Sequence, residues 1–332
     1  MSVPIGNIEN FRPMLSASLP SSKANVPTED EVIRDLKRLD WSQGFYVSPK
    51  MDGIRAVNHP TFGLVSRTLK PIPNRFIQES IKSLGEKVHY MDGELISGRI
   101  EDFIGYNDCQ SQIMSEAGKK RYTLCIFDHV EFPNKRFDYR NHLCREHFEG
   151  RQTYNYSDTE FHIEWLHQKL VSSIEELLEV ESEAIGLGYE GVIMRHPSVG
   201  YKNGRSTFLQ QGMIKLKRFL DAEAKIVGFE ELYRNTNEPT RDLLGYQRRS
   251  AHNAGQLAAN TLGKLIVEGI NGEWTDVEFS IGSGLDDSLR DRIWSDRESY
   301  MGMVVKYKYQ ASGSKERPRS PIFLGFRSLE DI

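Results

Sequence analysis

The sequence predicts an α+β protein built as two domains. Three observations carry that prediction. The chain has 332 residues, more than one average hydrophobic core supports. Up to about residue 218, apolar strand-like runs alternate with capped helical segments. From about residue 220 the pattern changes to five short strands around one small helix, as in a Greek-key β-barrel of oligonucleotide-binding type. The boundary falls within 218–222 and gives domains of 1–219 and 220–332, with no internal repeat or low-complexity segment.

Residues 1–40 read as a polar lead-in and a short helix. Thr28 is its N-cap, and Glu29, Asp30 and Glu31 form an acidic first turn before Val32, Leu36 and Leu39. Residues 44–47 have strand composition and run into Ser48-Pro49-Lys50-Met51-Asp52-Gly53-Ile54-Arg55, where Asp-Gly supplies a turn. Residues 63–68 form a second strand ending on Ser66-Arg67, and Asn74 caps a helix stopped by Gly85. Residues 89–96 form a strand with a second Asp-Gly, Asp92-Gly93, followed by Glu94. Residues 97–120 read as irregular and polar, 122–128 as an apolar strand ending in a carboxylate, and 140–148 as a helix.

Ser173-Ile174-Glu175-Glu176 matches a capping box, and its helix closes near Gly186 or Gly188. Residues 189–195 return to strand. Residues 212–217 form another, with Lys215 and Lys217 on one face because side chains alternate. Between Gly191 and Leu220 there is no acidic residue, while Arg195, Lys202, Arg205, Lys215, Lys217 and Arg218 fall in that span. Beyond the boundary, 222–229, 263–269, 277–282 and 303–309 read as strands, 286–295 as a helix and 233–261 as a long polar loop.

Composition bounds the function. The chain is 38% hydrophobic and 27% charged, as in ordinary globular proteins. No apolar run approaches the ~18 residues of a membrane span, and residues 1–22 show no secretory signal. Cys109, Cys125 and Cys144 fit neither a disulfide framework nor a zinc pattern. The expected setting is a reducing cytoplasm. A net charge of −4 excludes a uniformly basic coat but leaves room for a local basic face.

The chemistry centres on Lys50. A lysine held beside a carboxylate at a strand end suits a covalent nucleophile. Its ordinary pKa of about 10.4 keeps it protonated at neutrality. A cationic neighbour or a metal favours the neutral, attacking amine. A lysine with Asp-Gly, two Glu-bearing turns and a two-lysine strand are the parts needed to handle a nucleoside triphosphate.

In order along the chain, Lys50-Met51-Asp52-Gly53, Ser66-Arg67, Asp92-Gly93-Glu94, Phe127-Asp128, Glu190-Gly191-Val192 and Lys215-Leu216-Lys217 resemble six of the motifs of the covalent nucleotidyltransferases. Residues 279–285, Trp294, 306–310 and 317–323 resemble the second domain of ATP-dependent DNA ligases, in particular the small ligases of bacteriophages. The resemblance implies an ATP-grasp-like nucleotidyltransferase domain followed by an OB-fold barrel. It implies ATP and Mg²⁺ as cofactors, with Mn²⁺ able to substitute, and a monomer that acts on nicked double-stranded DNA and on no membrane.

The resemblance also implies the roles. Lys50 is the nucleophile that becomes lysyl-AMP. Ser48, Arg55, Arg67, Glu94, Phe127, Lys215, Lys217 and Arg327 bind nucleotide, and Glu190 and Glu94 hold metal. Two departures stand out: Ser48 occupies a position where many relatives have Glu, and the last motif is only partly matched by Arg327-Ser328-Leu329-Glu330-Asp331. With about 40 residues before the lysine strand and no added N-terminal domain, the expected DNA grip falls on 233–261, with Arg234, Arg241, Arg248 and Arg249. The same brevity, without a four-cysteine zinc module, favours ATP over NAD. An RNA ligase of the same superfamily, or a silent nucleic-acid clamp, are the rival expectations.

Overall fold

Phe45–Pro49 and Ile54–His59 are consecutive strands that belong to different sheets, so the Lys50-Met51-Asp52-Gly53 turn is a crossing and not a hairpin tip. The computed structural model describes residues 11–22, 26–102, 106–241, 247–250, 255–310 and 316–327. The chain divides into two compact units, one of 1–23 with 28–217 and one of 24–27 with 218–332.

In the first unit, one five-stranded sheet has the order Ala17–Ser18, Ile214–Lys217, Gly191–Arg195, Phe45–Pro49 and Lys169–Val171. The other has six strands, in the order Gly63–Ser66, Ile54–His59, Met91–Ser97, Tyr122–His129, Thr159–Trp165 and Arg151–Tyr156. Each sheet buries one face under helices. Val32 and Leu36 from Glu29–Leu36, and Leu177, Val180 and Ala184 from Ile174–Gly186, pack on Phe45, Val47, Val192 and Met194. Phe76, Ile77 and Ile81 from Arg75–Lys82, and Cys144 and Phe148 from Phe137–Phe148, pack on Leu95, Leu124 and Ile126.

The caps form where the sequence places them. Thr28 and Glu31 make a complete capping box, and Asn74 and Ser173 each accept an N–H of the first helical turn. At Ser173 the reciprocal half of the box differs: Glu176 accepts from the N–H of Ser172 at 2.7 Å, one residue earlier.

Two segments are more ordered than the sequence suggests. Phe11, Met14, Ala17 and Leu19 of the polar lead-in are buried, and Ala17–Ser18 pairs in parallel with Ile214–Lys217. A two-residue strand between serines and prolines carries no readable alternation. Within 97–120, Tyr106–Ile113 is a helix that inserts Cys109 and Ile113, one turn apart. Two apolar residues are too few for a periodic signal.

The second unit is an antiparallel five-stranded sheet in the order Glu278–Ile281, Gln256–Gly269, Phe219–Asn235, Val304–Gln310 and Arg319–Arg327. Ile293 of Asp287–Ser295 and Leu265, Val267, Phe279, Val305 and Tyr307 form its core. The expected barrel is not closed by a ladder among the described residues. The edge strands approach through one parallel bridge, Ser283 to Ile322. Pro321 beside it has no N–H to extend that pairing, and the Arg319–Arg327 register slips between Lys308 and Gln310.

The stretch 233–261 is not a loop as expected. Phe219–Asn235 and Gln256–Gly269 pair out to Asn235 opposite Gln256, and Pro239–Arg241 pairs with Gln247–Arg249 beyond them. The described residues of this ribbon are mostly exposed or half-buried, so it needs no apolar alternation and its composition reads as loop.

Candidate active site

The site grows from the register of three strands. Ile193 stands opposite Ser48 on one side and Lys215 on the other, so these side chains form a row on one face. The backbone N–H of Lys50 donates to Gly191 O at 2.8 Å, which pins the crossing turn to the Glu190-Gly191 turn. Both turns need glycine. A Cβ at Gly53 would meet the Leu95 carbonyl, and one at Gly191, where φ is +133°, would meet the Leu216 carbonyl. In the other sheet Arg55 pairs with Glu94.

These rows enclose a cavity of about 250 Å³. Of the expected residues, Ser48, Lys50, Arg55, Arg67, Glu94, Phe127 and Lys215 line it. Glu190 and Lys217 join it at the lysine: Glu190 Oε2 pairs with Lys50 Nζ, and Glu190 Oε1 with Lys217 Nζ at 3.0 Å. Arg327 belongs to the second unit and lies 3.7 Å from Glu223. Arg249 is also in that unit and donates to Asn237 O. The side chains of Arg241 and Arg248, and residues 328–331, lie outside the described residues.

Several lining groups carry no recognised motif. Leu15 and Ser16 come from the N-terminal segment, and Arg195, Arg205 and Met213 complete the wall. Arg195 lies two residues beyond Ile193 on the same strand face, and it and Arg205 fall in the acid-free span, which was the available signal. The ring of Phe127 has the guanidinium carbons of Arg55 and Arg195 at 4.5 and 4.7 Å from its centroid. Asp128 lies apart from this chemistry: its carboxylate is forked by buried Arg140 at 2.7 and 3.2 Å, which ties the Phe137–Phe148 helix to the strand.

The electrostatics are lopsided toward cations. Burial works to raise the pKa of Glu190, but Lys50 and Lys217 outweigh it and hold the carboxyl down to about 2. Burial pushes Glu94 up to about 7 against the pull of Arg55 and Lys50. Burial depresses Lys215, and Lys50 and Arg205 add to that. Burial also lowers Arg195 to about 10, with Asp128 opposing, and its Nε has no hydrogen-bond partner. Burial disfavours the Arg55 cation, yet Asp92 more than offsets this and raises its pKa. Lys50, Arg55, Arg67, Arg195, Arg205 and Lys215 thus face Glu94 alone among lining carboxylates, the charge pattern of a polyanion site. No group of three or more His, Cys, Asp or Glu side chains suited to a metal occurs among the described residues.

The ATP dependent DNA ligase domain family matches residues 13–217, and the DNA ligase OB-like domain family matches 255–327. Among curated protein sequences none matches. The Chlorella virus DNA ligase-adenylate structure is 27% identical, covers 95% of this chain and 99% of its own, and has a TM-score of 0.48. A Lig E DNA ligase, described as DNA binding with a minimal scaffold, is 21% identical over 95% of this chain and 99% of its own, with a TM-score of 0.59. The bacteriophage T7 ATP-dependent DNA ligase in complex with ATP is 16% identical over 95% and 98%, with a TM-score of 0.44. The first family spans 205 of 332 residues (217 − 13 + 1) and covers every strand that lines the cavity, so the chain belongs to the ATP-dependent DNA ligase family, enzymes that form phosphodiester bonds.

Proposed function

We propose that this enzyme seals nicks in duplex DNA and that Lys50 is the residue that carries AMP. The observation behind this reading is the place of the Lys50 amine: it stands at the sheet crossing, paired to Glu190, at a cavity lined by five further cations. In the first step Nζ loses a proton and attacks the α-phosphorus of ATP. The α–β P–O bond breaks, pyrophosphate leaves and a phosphoramidate forms. In the second, a 5′-phosphate oxygen of the nick displaces Nζ from that phosphorus. In the third, the 3′-hydroxyl attacks the 5′-phosphorus and AMP leaves. All three place a pentavalent phosphorus among fixed cations, so positioning and charge neutralisation carry the catalysis.

The remaining roles follow the cavity. Lys215 and Lys217 grip the α-phosphate and Arg67 reaches sugar or phosphate. Glu94 holds the ribose, Phe127 stacks on the base, and Ser48 takes the place of the more usual Glu beside it. Arg327, in the second unit, does not line this cavity, and the pyrophosphate-orienting role expected of it rests on the partly matched last motif alone.

Mg²⁺ fits this donor set only as a companion of the triphosphate. Glu94 is half-buried with its cationic neighbours outweighed by desolvation, and Glu190 is a single carboxylate already shared by two lysines. Phosphate oxygens and water would have to supply the remaining ligands. When bound there, held by Glu94 and Glu190, Mg²⁺ supplies charge compensation at the phosphates.

Incubation with α-³²P-labelled ATP tests the reading. Label should appear on the Lys50 peptide, be discharged by pyrophosphate, and support closure of a nicked duplex. NAD should give no adduct. Label on another peptide, or an adduct formed from NAD alone, would overturn it.

The paired ribbon of the second unit supplies the DNA contact. Arg234 and Arg249 are exposed on it, and Arg241 and Arg248 lie on its hairpin strands. Each phosphate contact contributes roughly 0.9 to the log–log salt slope of binding. Replacing Arg241, Arg248 and Arg249 by Ala should weaken nick binding and flatten that slope, and leave AMP transfer to the protein within about twofold of wild type. An unchanged affinity and slope would make the hairpin a surface ornament.

A further inference from the structure

We propose that Tyr201 is a positioning residue that ties the N-terminal segment to the wall of the nucleotide cavity through Asp92 and Arg55. This deepens the reading of that cavity as the ATP site and rests on it. The Tyr201 hydroxyl donates to Asp92 Oδ2 at 2.6 Å and accepts from the Met14 N–H at 2.8 Å. Asp92 also accepts from Arg55 Nε at 2.6 Å and Nη2 at 2.7 Å, and the same Nη2 reaches Met14 O at 3.3 Å. Both backbone polar groups of Met14 therefore end on one network of three side chains.

That network is out of water. Asp92 is 0% exposed and Tyr201 is 7% exposed. The next residues, Leu15 and Ser16, line the cavity, as does Arg55. The tie acts where the ladder is weakest, because Ala17–Ser18 adds only two paired residues to the sheet edge. Phe11 stacks on the Tyr201 ring at 6.2 Å and 17°, so the ring holds the segment at a second point. Removing the hydroxyl alone leaves the Met14 N–H without its acceptor and takes one donor from Asp92. The ring and its stacking are kept.

Tyr201→Phe tests this directly. The KM for ATP in protein adenylylation should rise about tenfold, the loss expected for a hydrogen bond to a buried charged group. The kcat should stay within about threefold, and closure of a pre-adenylated nick within about twofold, because there AMP arrives joined to DNA. The Met14 and Leu15 amides should exchange hydrogen about tenfold faster. Asp92→Asn should also raise KM, and the double variant should be no worse than the poorer single variant by more than about twofold, since both cut the same tie.

A lowered melting temperature with unchanged KM and exchange would make Tyr201 purely structural and overturn the proposal. So would KM effects that multiply in the double variant. Lys50→Ala run alongside separates the two readings. AMP label surviving in it would break the ATP-site assignment, whereas a silent Lys50→Ala with wild-type KM in Tyr201→Phe would break only the Tyr201 proposal.

Discussion

Lys50→Ala is expected to take up no AMP from ATP, with loss of adduct of the order of a thousandfold or more, as when a covalent nucleophile is deleted. The same variant should still close a nick that already carries 5′-adenylate. The two outcomes follow from where the amine stands. Bond formation to the α-phosphorus requires an atom at Nζ. The last displacement uses the 3′-hydroxyl and requires only the surrounding cations. Those cations are placed by other strands: Lys215 and Lys217 by Ile214–Lys217, Arg55 by Ile54–His59. Loss of the lysine removes one partner of Glu190 but leaves Lys217 at 3.0 Å from its other oxygen, so the wall keeps its shape. Denaturing-gel detection of labelled protein, beside a sealing assay on the pre-adenylated nick, reads both. A variant that labels normally would assign the nucleophile elsewhere. One that fails on both substrates would mean that Lys50 also shapes the site.

Much of this site is legible in the chain because its chemistry needs particular residues at strand ends. Lys50 beside Asp-Gly, Glu94 after Asp-Gly and the alternating Lys215 and Lys217 each carry a local signature of turn or period. What joins them is not local. The crossing of Lys50 between two sheets, its backbone bond to Gly191 and the row Ser48, Ile193, Lys215 depend on pairings between strands distant in sequence: Ser48 and Lys50 meet residues more than a hundred positions away, and Ile193 meets Lys215 across an intervening loop. Arg195 and Arg205 stand out only as members of an acid-free span, and nothing local separates them from solvated cations. Tyr201 is less legible still, since a tyrosine between Gly200 and Lys202 carries no period. The second unit shows the same limit from the other side. Its core strands alternate and are readable, whereas its solvent-exposed ribbon is stabilised by backbone pairing that composition does not encode.

Glu190→Ala should damage adduct formation more than Glu94→Gln, by roughly a hundredfold against roughly tenfold, because the two carboxylates stand in opposite electrostatic conditions. Glu190 is ionised and held low by two lysines. Its removal takes a carboxylate partner from Lys217, whose side chain is only 9% exposed, and from Lys50. Breaking a buried pair from one side costs about 3–5 kcal/mol, so a fall in melting temperature should accompany the loss of activity. Glu94 already sits near half-protonation at neutral pH, with burial as the main cause. Glu94→Gln removes little net charge at pH 7 and keeps the shape, so its stability should change little. The adduct yield of the Glu94 variant should differ most from wild type above pH 7, where the native carboxyl is ionised, and converge with it below. Glu190→Gln supplies the control: it keeps the volume of Glu190 and loses the charge, and should behave like Glu190→Ala if the pairing with Lys50 and Lys217 is what matters. Near-wild-type adduct yields in both alanine and glutamine variants of Glu190 would refute the assignment of this carboxylate to phosphate-charge and metal handling.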